Sequence, residues 1–475
     1  MSNSVRSAFS RRSLLAGAAA LAAAPALSRS ARSSDSTAPF ALTPAPGRAS
    51  IVGARRPKTD VWCYNGTVPG PVVRLHQGKP ARIKVVNGLV EGTTVHWHGI
   101  RLPIGMDGVP GISQPPIKPG ENFLYEFTPP DAGTFWYHPH VDTLQQLGRG
   151  LSGALIVEEP EPVAVDRDLV WLLADWRLKS DAQIASGFGN SMDAAMSGRI
   201  GNTVTVNGVV SDGVPVRAGE RIRLRLINGA LARIMALRFE GHHPVVVATD
   251  GQPCEPHEPE GGRLLLGPAM RIDLALDMQG EPGRRYRVVD DFYNGLSYWL
   301  THLAYENKPP LRAHSLDPPL VLPRNPVPEP DLAAAQRYEL HLQGGMMGGG
   351  AMAGIGGMMG MSHGANWAIN GSSMTGDGQP GMPPLLTLKL GRSYILTLRN
   401  DTAWWHPMHL HGHSFRVLSR NNAPVPYHQW ADTVLVAPKE AVDIAFVADN
   451  PGDWMLHCHV ADHQMSGMMA ILRIA

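Results

Sequence analysis

Short apolar runs recur along the chain, and in many of them apolar and polar residues alternate. Alternation places the apolar side chains on one face of a β-strand, because successive side chains in a strand point to opposite faces. Turn residues punctuate these runs throughout, and glycine and proline number 51 and 41. The pattern therefore predicts an all-β protein.

One strand pattern occurs three times. In each copy an Asn-Gly pair precedes a glycine, and an alternating strand follows that ends in asparagine nine residues after that glycine. Because internal repetition marks repeated structural units, we predict three β-sandwich domains of about 130 residues each. The Asn-Gly pairs begin at Asn65, Asn207 and Asn370, and the strands run from Gly78 to Asn87, Gly219 to Asn228 and Gly391 to Asn400.

Changes in composition set the predicted boundaries. The segments are a leader at residues 1–35, domain 1 at 36–160, domain 2 at 161–307, a proline-rich linker at 308–330 and domain 3 at 331–475.

The leader carries twin arginines, Arg11 and Arg12, before a small apolar run from Leu14 to Leu27. This arrangement is typical of a twin-arginine signal peptide, and the run is too short and too rich in alanine for a good membrane span. We predict export of the folded chain to the periplasm, without stable membrane insertion of the mature protein. An ordinary amphipathic leader is the alternative.

Net charge is only +1 and charged residues are sparse. Neither a nucleic-acid partner nor a polybasic membrane-binding surface is expected, and we expect a monomer. The three cysteines do not make a disulfide scaffold. Cys63 and Cys254 are predicted to be separate core residues, with a disulfide between them as the alternative.

Four His-X-His pairs occupy repeat-matched positions in domains 1 and 3. Two lie nine and eleven residues after the repeat asparagine, and two lie five and seven residues after a later glycine, Gly133 or Gly452. A single isolated His-X-His motif is usually structural. Four matched motifs, however, bring eight imidazoles to one interface, which fits a cluster of about three metal ions. The pairs are His96 and His98, His138 and His140, His409 and His411, and His457 and His459, and domain 2 has Leu237, Phe239, Val288 and Asp290 at these offsets.

A second set of ligand types faces the other way. Cys458 lies between His457 and His459, so its side chain points to the opposite face of the strand. His406 is offset by three residues from His409 and has the same opposite orientation. One thiolate, two imidazoles and a weak thioether ligand describe a blue-copper electron-transfer centre. The predicted ligands of this centre are His406, Cys458, His463 and Met468.

These motifs resemble the four copper signatures of the multicopper oxidases, a family that includes laccases, cuprous oxidases and bilirubin oxidases. The motifs are His96-Trp-His98-Gly, His138-Pro-His140, His406-Pro-Met-His409-Leu-His411-Gly, and His457-Cys-His459 followed by His463 and Met468. The resemblance covers the whole mature chain. It implies three consecutive cupredoxin-like Greek-key β-sandwich domains, four copper ions, and reduction of dioxygen to water.

The resemblance also implies how the ligands are shared, and every ligand position of the family pattern is filled. The type 1 copper would take His406, Cys458, His463 and Met468; the type 2 copper would take His96 and His409; the type 3 pair would take His98, His138 and His459 on one ion and His140, His411 and His457 on the other.

Four one-electron oxidations at the type 1 copper would then supply dioxygen reduction at a trinuclear cluster. Protons are needed as well, so carboxylates are expected near that cluster. Asp107 resembles the family's acidic residue near the type 2 copper. Gln464 follows His463 where many cuprous oxidases carry a carboxylate, so Asp462 is the second candidate for proton delivery.

A segment rich in glycine and methionine, residues 344–364, is expected to precede the first strands of domain 3. So much glycine cannot build a packed core, and thioethers are soft ligands that select Cu(I). We therefore predict a Cu(I) capture segment, with a linker whose methionines are incidental as the alternative. Its candidate ligands are Met346, Met347, Met352, Met358, Met359, Met361 and His363, with Met374, Met382 and Met465 as extensions.

The preferred function is a periplasmic cuprous oxidase that converts Cu(I) to Cu(II) in copper tolerance. A laccase oxidising phenols or aromatic amines is the alternative, and a copper-binding or scaffold protein without turnover is a lesser one. Four further residues are expected to bind no metal: His242 and His243 in a turn, and His413 and His428. Asp432 is expected to be structural.

Overall fold

The computed structural model describes residues 39–312, 319–346 and 366–475, together with the backbone of Ala31–Arg32. Its regular secondary structure is mostly β-strand, as the alternating pattern predicts. The strands form three sandwiches in succession, which agrees with the cupredoxin-like domains that the resemblance implies. The predicted signal peptide and most of the methionine-rich segment lie outside the described residues. No helix within the described ranges is long and apolar enough to cross a membrane.

The first sandwich combines two sheets and a hairpin. Its strands are β1 (Ala31–Arg32), β2 (Phe40–Leu42), β3 (Pro44–Ala49), β4 (Thr59–Tyr64), β5 (Gly70–His76), β6 (Ala81–Val86), β7 (His96–His98), β8 (Asn122–Phe127), β9 (Gly133–His138) and β10 (Gly153–Glu158). The sheets have the orders β1-β5-β10-β9-β7 and β2-β6-β8, and β3 pairs with β4. A 3-10 helix, Ile104–Met106, and helix α1, Thr143–Gly148, lie in the connections. The core between the sheets includes Ile83, Tyr125 and Phe135, all fully buried.

The second sandwich consists of a six-stranded and a five-stranded sheet. Its elements are β11 (Arg167–Trp176), α2 (Ser191–Ala195), β12 (Thr203–Val206), β13 (Val214–Val216), β14 (Arg221–Asn228), β15 (Met235–Phe239), β16 (Val245–Thr249), β17 (Gln252–His257), a 3-10 helix (Glu260–Gly262), β18 (Leu264–Leu266), β19 (Arg271–Asp277), β20 (Arg285–Asp290) and β21 (Tyr298–Tyr305). The strand orders are β12-β11-β14-β19-β16-β17 and β13-β21-β20-β15-β18.

The third sandwich contains most of the predicted ligands. Its elements are β22 (Gln336–Gly344), β23 (Trp367–Ile369), β24 (Leu386–Leu388), β25 (Ser393–Asn400), β26 (His406–Leu410), β27 (Phe415–Arg420), β28 (Ala423–Pro424), β29 (Trp430–Ala431), β30 (Thr433–Val436), β31 (Ala441–Val447), β32 (Gly452–Cys458), α3 (Ala461–Met465) and β33 (Met469–Ile474). One sheet has the order β23-β22-β25-β31-β27-β28, with β29 paired to β27. The other has the order β24-β33-β32-β26-β30. Strand β22 comes before the methionine-rich segment, so the expectation that this segment precedes the first strands of domain 3 is wrong.

The predicted linker packs against the domains that it follows. Leu320 and Leu322 are buried against Val247 of domain 2. Asn325 accepts from the backbone N–H of Ala132 at 2.9 Å and donates to the side chain of Gln252 at 2.9 Å. These contacts tie the segment between domains 2 and 3 to domain 1 as well as to domain 2.

The three Asn-Gly pairs form equivalent turns. Asn65, Asn207 and Asn370 all have positive φ, between 49° and 52°, and each is followed by a positive-φ glycine. Asparagine and glycine tolerate this left-handed region better than other residues, which explains the pair at a tight turn. Each asparagine side chain also makes two hydrogen bonds to the backbone of a nearby strand or strand end. Its Oδ1 accepts from an N–H group, and its Nδ2 donates to a carbonyl two residues earlier.

The three asparagines that end the repeat strands also share one role. Each Oδ1 accepts from the backbone N–H two residues later, and each Nδ2 donates to carbonyls of neighbouring loops and strands. A single side chain thus satisfies several buried backbone groups where the strand ends. The residues are Asn87, Asn228 and Asn400, all buried.

One repeat strand differs from the half-buried strand that alternation predicts. Every residue of β14 is buried, so its arginines lie under other parts of the chain rather than in solvent. They are compensated by carboxylates: Arg221 pairs with Asp277, and Arg223 pairs with Asp273. Alternation therefore marks two buried faces here, one apolar and one ionic.

We predict that Asn228→Ala lowers the free energy of unfolding of the copper-free protein by about 3 kcal/mol, because three buried backbone groups lose their partner. Those groups are the N–H of Ala230 and the carbonyls of Arg233 and Leu266. Chemical denaturation measures the change. The exposed Asn307→Ala is the control, expected within about 0.5 kcal/mol of the parent; an equal effect of both substitutions would contradict the assigned role.

Candidate metal centres

Two antiparallel strand pairs place histidines directly opposite each other. In domain 1, β7 and β9 bring His96 opposite His138, and in domain 3, β26 and β32 bring His409 opposite His457. Opposite residues of an antiparallel pair project from the same face of the sheet. The repeat offsets thus translate into matching geometry in the two domains.

Domain 2 has the equivalent strands but apolar or acidic residues at those positions. Leu237 of β15 lies opposite Asp290 of β20, and Phe239 lies opposite Val288. Leu237 and His96 both lie nine residues after the repeat asparagine. His96 pairs with the residue five positions after the later glycine, whereas Leu237 pairs with the residue seven positions after it. The pairing in domain 2 is therefore shifted by two residues.

The eight imidazoles of the His-X-His pairs form one buried cluster between domains 1 and 3, which we call the imidazole cluster. Nε2 of His411 lies 3.1 Å from Nε2 of His457, and Nε2 of His138 lies 3.4 Å from Nε2 of His459. Ligand atoms within 4.8 Å of one another define three histidine groups. The groups are His96, His98 and His409; His98, His138 and His459; and His140, His411 and His457.

Several ring nitrogens of this cluster are buried and have no hydrogen-bond partner among the described residues. They are Nε2 of His96, Nε2 of His409, Nδ1 of His98 and both nitrogens of His140. Buried polar atoms are normally paired, so these atoms fit metal ligation. Burial also lowers the pKa of His98, His138 and His140 well below the usual value. These three imidazoles are therefore neutral, which is the form that binds metal.

Asp107 accepts hydrogen bonds from one histidine of domain 1 and one histidine of domain 3. Its backbone carbonyl accepts from Nδ1 of His96 at 2.8 Å, and its carboxylate accepts from Nδ1 of His411 at 2.8 Å. Burial opposes ionisation of this carboxyl, but His411 and His96 outweigh it and hold the pKa of Asp107 well below its usual range. Asp107 thus lies against the cluster as an ionised group that orients two rings.

Asp432 repeats this arrangement from domain 3. Its backbone carbonyl accepts from Nδ1 of His409 at 2.9 Å, and its carboxylate accepts from Nε2 of His98 at 3.1 Å. The structural role expected for Asp432 is therefore specific, since it orients two rings of the cluster. Asp107 lies 20 residues after Asn87 and Asp432 lies 32 residues after Asn400, so the repeat contains no signal that relates them.

His406, Cys458 and His463 form a second buried group on the other face of β32. Sγ of Cys458 lies 3.5 Å from Nδ1 of each histidine, and the two Nδ1 atoms are 3.2 Å apart. A point equidistant from these atoms lies about 2 Å from each, which is a metal–ligand distance. The remaining Nε2 atoms donate to oxygens, that of His406 to Thr402 Oγ1 at 2.8 Å and that of His463 to the carbonyl of Met196 at 2.7 Å.

The surroundings of Cys458 suit a bound metal. Burial raises the pKa of its thiol, so ionisation needs a nearby cation. Burial lowers the pKa of His463 to about 3 and that of His406 well below the usual value, which keeps both rings neutral. Met468 is fully buried in the same core, and its carbonyl accepts from the N–H of Cys458 at 3.0 Å. These four residue types fit the predicted blue-copper set.

Comparison with known proteins decides the family. Three sequence profiles of multicopper oxidase domains match residues 48–162, 167–301 and 358–475. Multicopper oxidase MmcO of Mycobacterium tuberculosis is 32% identical, with 95% of this chain and 90% of that protein covered. This chain belongs to the multicopper oxidase family.

Solved structures agree with this assignment. A multicopper oxidase from Pseudomonas thermotolerans superposes with a TM-score of 0.82 at 36% identity, covering 94% of this chain and 100% of the other. A multicopper oxidase from Campylobacter jejuni, described as a metallo-oxidase, gives a TM-score of 0.76 at 27% identity, covering 94% and 93%. The predicted family, fold and enzyme class are confirmed: the protein is an oxidoreductase that reduces dioxygen, and its two buried groups are consistent with copper sites.

Asp462 of this multicopper oxidase has a partner in domain 2. Its carboxylate accepts from the backbone N–H of Arg199 at 2.7 Å, and burial raises its pKa to about 6. Within the described ranges no hydrogen bond joins it to the imidazole cluster, so its role in proton delivery stays a prediction. Gln464, which follows His463 in the sequence, is buried, and its Nε2 has no hydrogen-bond partner among the described residues.

Three further histidines and two cysteines lie outside the two buried groups. His242 is buried and hydrogen-bonds Tyr305 at 2.6 Å. His413 and His428 belong to none of the metal-capable groups found in the described part of the chain. Cys63 and Cys254 are unpaired, which agrees with separate packing rather than a disulfide.

Acid should destabilise the copper-free protein. In the unfolded chain an imidazole takes up a proton near its ordinary pKa of 6.5, whereas burial keeps His411 and His463 neutral in the fold down to about pH 3. The unfolded state thus binds more protons between these values, so the free energy of unfolding falls as pH drops below 6.5, by about 2 kcal/mol per ring at about pH 5.

Denaturant unfolding of the copper-free protein at several pH values measures this slope. The copper-loaded protein is the control and should keep its stability to lower pH, because bound metal competes with protons for the same nitrogens. A copper-free protein equally stable at pH 7.5 and 5 would contradict the buried, neutral state of these rings.

Proposed function

We propose that this multicopper oxidase holds four copper ions in the two buried groups. When bound, copper supplies one-electron redox chemistry and the site at which dioxygen is reduced to water. Burial, neutral imidazoles and unpartnered ring nitrogens support the assignment. The proposed ligands are His406, Cys458, His463 and Met468 for type 1; His96 and His409 for type 2; and His98, His138, His459, His140, His411 and His457 for the type 3 pair.

Cys458 connects the two groups through its own backbone. Its sequence neighbours, His457 and His459, belong to the imidazole cluster, whereas its Sγ faces the type 1 group. This follows from the alternation of side chains along β32. A single tripeptide therefore provides a covalent path from the site of electron entry to the cluster.

Asp107 and Asp432 keep the cluster in a geometry suited to metal. Each takes the proton-bearing nitrogen of two rings, so the other nitrogen of each ring points inward with a free lone pair. Because each aspartate holds one ring from its own domain and one from the other, they also fix how domains 1 and 3 meet.

We further propose that the physiological electron donor is Cu(I). The observation that carries this is where the methionine-rich segment begins. The N–H of Met346 donates to the carbonyl of Ala195 at 2.8 Å, and Nε1 of Trp404 donates to the carbonyl of Met346 at 2.9 Å. Ala195 precedes Met196, whose carbonyl holds His463. The first methionine of the segment is thus anchored beside the type 1 group, and it is 42% exposed.

Soft thioethers placed there would collect Cu(I) close to its oxidant. The remaining candidate ligands, Met347 onwards, lie outside the described residues. The predicted extensions do not join Met346: Met374 and Met382 pack in an apolar cluster with Val109 and Met455, and Met465 packs against another such cluster. The similarity to a metallo-oxidase of Campylobacter jejuni supports a metal-ion donor. Periplasmic export by the twin-arginine route remains part of this proposal.

An aromatic donor is the second candidate, and one contact favours it. Trp405, next to His406, meets Phe292 of domain 2 edge to face, with ring centroids 5.6 Å apart. Leu296 and Trp299 follow in the chain and are exposed. A phenol could stack against such a surface, which would make the protein a laccase.

Oxygen consumption by the copper-loaded protein separates the two. We expect fast uptake with Cu(I) and slow uptake with a phenol in the absence of added copper. The reverse result would identify a laccase. No uptake with either donor, with four coppers bound per chain, would contradict both functions.

Replacing Met347, Met352, Met358, Met359 and Met361 together with leucine should raise the KM for Cu(I) about tenfold, equivalent to about 1.4 kcal/mol of lost binding. Leucine keeps the length and apolar character but removes the soft ligand atom. Turnover with a phenol should not change. The matched control, Gly349→Ser with Gly356→Ser, alters the same segment but keeps every methionine, and should leave the KM for Cu(I) unchanged. An unaltered KM in the leucine variant would reduce the segment to a linker.

A further inference from the structure

Arg271, the first residue of β19, is fully buried where the three domains meet. Its Nε donates to the carbonyl of Thr134 in domain 1 at 3.1 Å. Its Nη1 and Nη2 donate to the two carboxylate oxygens of Asp432 in domain 3, the first at 2.7 Å. Nη1 also donates to the carbonyl of Ala269 in its own domain. Burying a guanidinium is costly unless its hydrogen bonds are well satisfied, and here all three domains contribute acceptors.

Asp250 holds the backbone of the same region. Its Oδ1 accepts from the N–H of Arg271 at 2.8 Å, and its Oδ2 accepts from the N–H groups of Asp432 and Thr433 at 3.1 and 3.0 Å. Arg271 therefore fixes the carboxylate of Asp432, and Asp250 fixes its main chain. Both residues belong to domain 2, in which the sequence predicts no metal ligand.

The glycine after the first His-X-His pair leaves room for this pairing. A Cβ built on Gly99 would collide with Nη2 of Arg271 and lie 2.5 Å from Oδ2 of Asp432, and the residue has a φ of +87°. Gly99 therefore has two physical reasons to be glycine, its backbone conformation and the approach of the ion pair.

The two aspartates of the cluster differ in this respect. Asp107 and Asp432 each hold two histidines, but within the described residues only Asp432 has an arginine hydrogen-bonded to its carboxylate. A planar guanidinium that binds both carboxylate oxygens fixes the plane of the carboxylate, and that plane sets the direction of the bond to Nε2 of His98.

We propose that Arg271, supported by Asp250, is a positioning residue for the imidazole cluster. Through Asp432 it orients His98 of domain 1 and His409 of domain 3, so the domain without ligands sets the geometry of the site. The inference rests on the ligand assignment proposed above. It extends that assignment to residues that touch neither copper nor dioxygen.

Arg271→Lys tests the proposal, because lysine keeps the charge but cannot bind both carboxylate oxygens in one plane. We expect copper retention in the imidazole cluster to weaken about 10- to 100-fold, both at the type 2 position proposed for His409 and at the type 3 ion proposed for His98. This is the effect typical of losing an outer partner of a metal ligand. The electron paramagnetic resonance spectrum of any retained type 2 copper should also change. The blue absorption of the type 1 group, which does not contact Asp432, should stay as in the parent protein.

Arg223→Lys is the matched control. Arg223 is also buried in domain 2, and it pairs with Asp273 and Glu159 rather than with a group that holds a histidine. It should lower thermal stability to a similar degree and leave the type 2 signal intact. Asp250→Asn is a nearly isosteric second variant that decides the matter if Arg271→Lys does not fold. It should disturb the type 2 signal in the same direction.

Unchanged type 2 copper content and spectrum in both Arg271→Lys and Asp250→Asn would overturn the proposal, as would equal losses in Arg223→Lys. A parent protein that lacks any type 2 signal when copper-loaded would instead contradict the proposed ligand set, so the two failures are distinguishable.

Discussion

An imidazole that binds a metal through one nitrogen needs an acceptor for the proton on the other, and this requirement arranges both buried centres. His96 and His409 use the carbonyls of Asp107 and Asp432. In the type 1 group, His406 donates to Thr402. Since an unpaired buried N–H costs about 1–3 kcal/mol, these acceptors are as constrained as the ligands. The carboxylates of the same two aspartates accept from His411 and His98 across the interface of domains 1 and 3, so the site and the interface stabilise each other.

Domain 2 contributes buried charge rather than ligands. Its strand β14 is buried on both faces, with arginines paired to carboxylates on the side away from the apolar core. Arg271 of the neighbouring strand β19 continues this ionic layer as far as Asp432. Ion pairs of this kind contribute little net stability, because desolvation opposes the attraction, but they specify geometry strongly when the hydrogen bonds are complete. A ligand-free domain is therefore well suited to orient ligands held by its two neighbours.

The buried group of His406, Cys458 and His463 is also assembled from different parts of the chain. His463 lies on the short helix α3, yet its outer nitrogen is held by Met196 of domain 2. The next residue back, Ala195, anchors the start of the methionine-rich segment. Because one short stretch of domain 2 contacts both a proposed ligand and the proposed substrate segment, a donor bound there would lie close to the electron acceptor without crossing the protein interior.

Local periodicity and repetition in the sequence determined the all-β fold, the three repeats and the proposed ligand histidines, because side chains two residues apart share a strand face wherever the strand lies. The same parity placed His406 and Cys458 together on the opposite face. Only the tertiary structure decided which groups accept hydrogen bonds from these histidines. Asp432 meets His98 across 334 residues and Arg271 across 161, and no local period relates positions so far apart. Their contacts exist because three sandwiches pack around one point and every buried polar group there must find a partner.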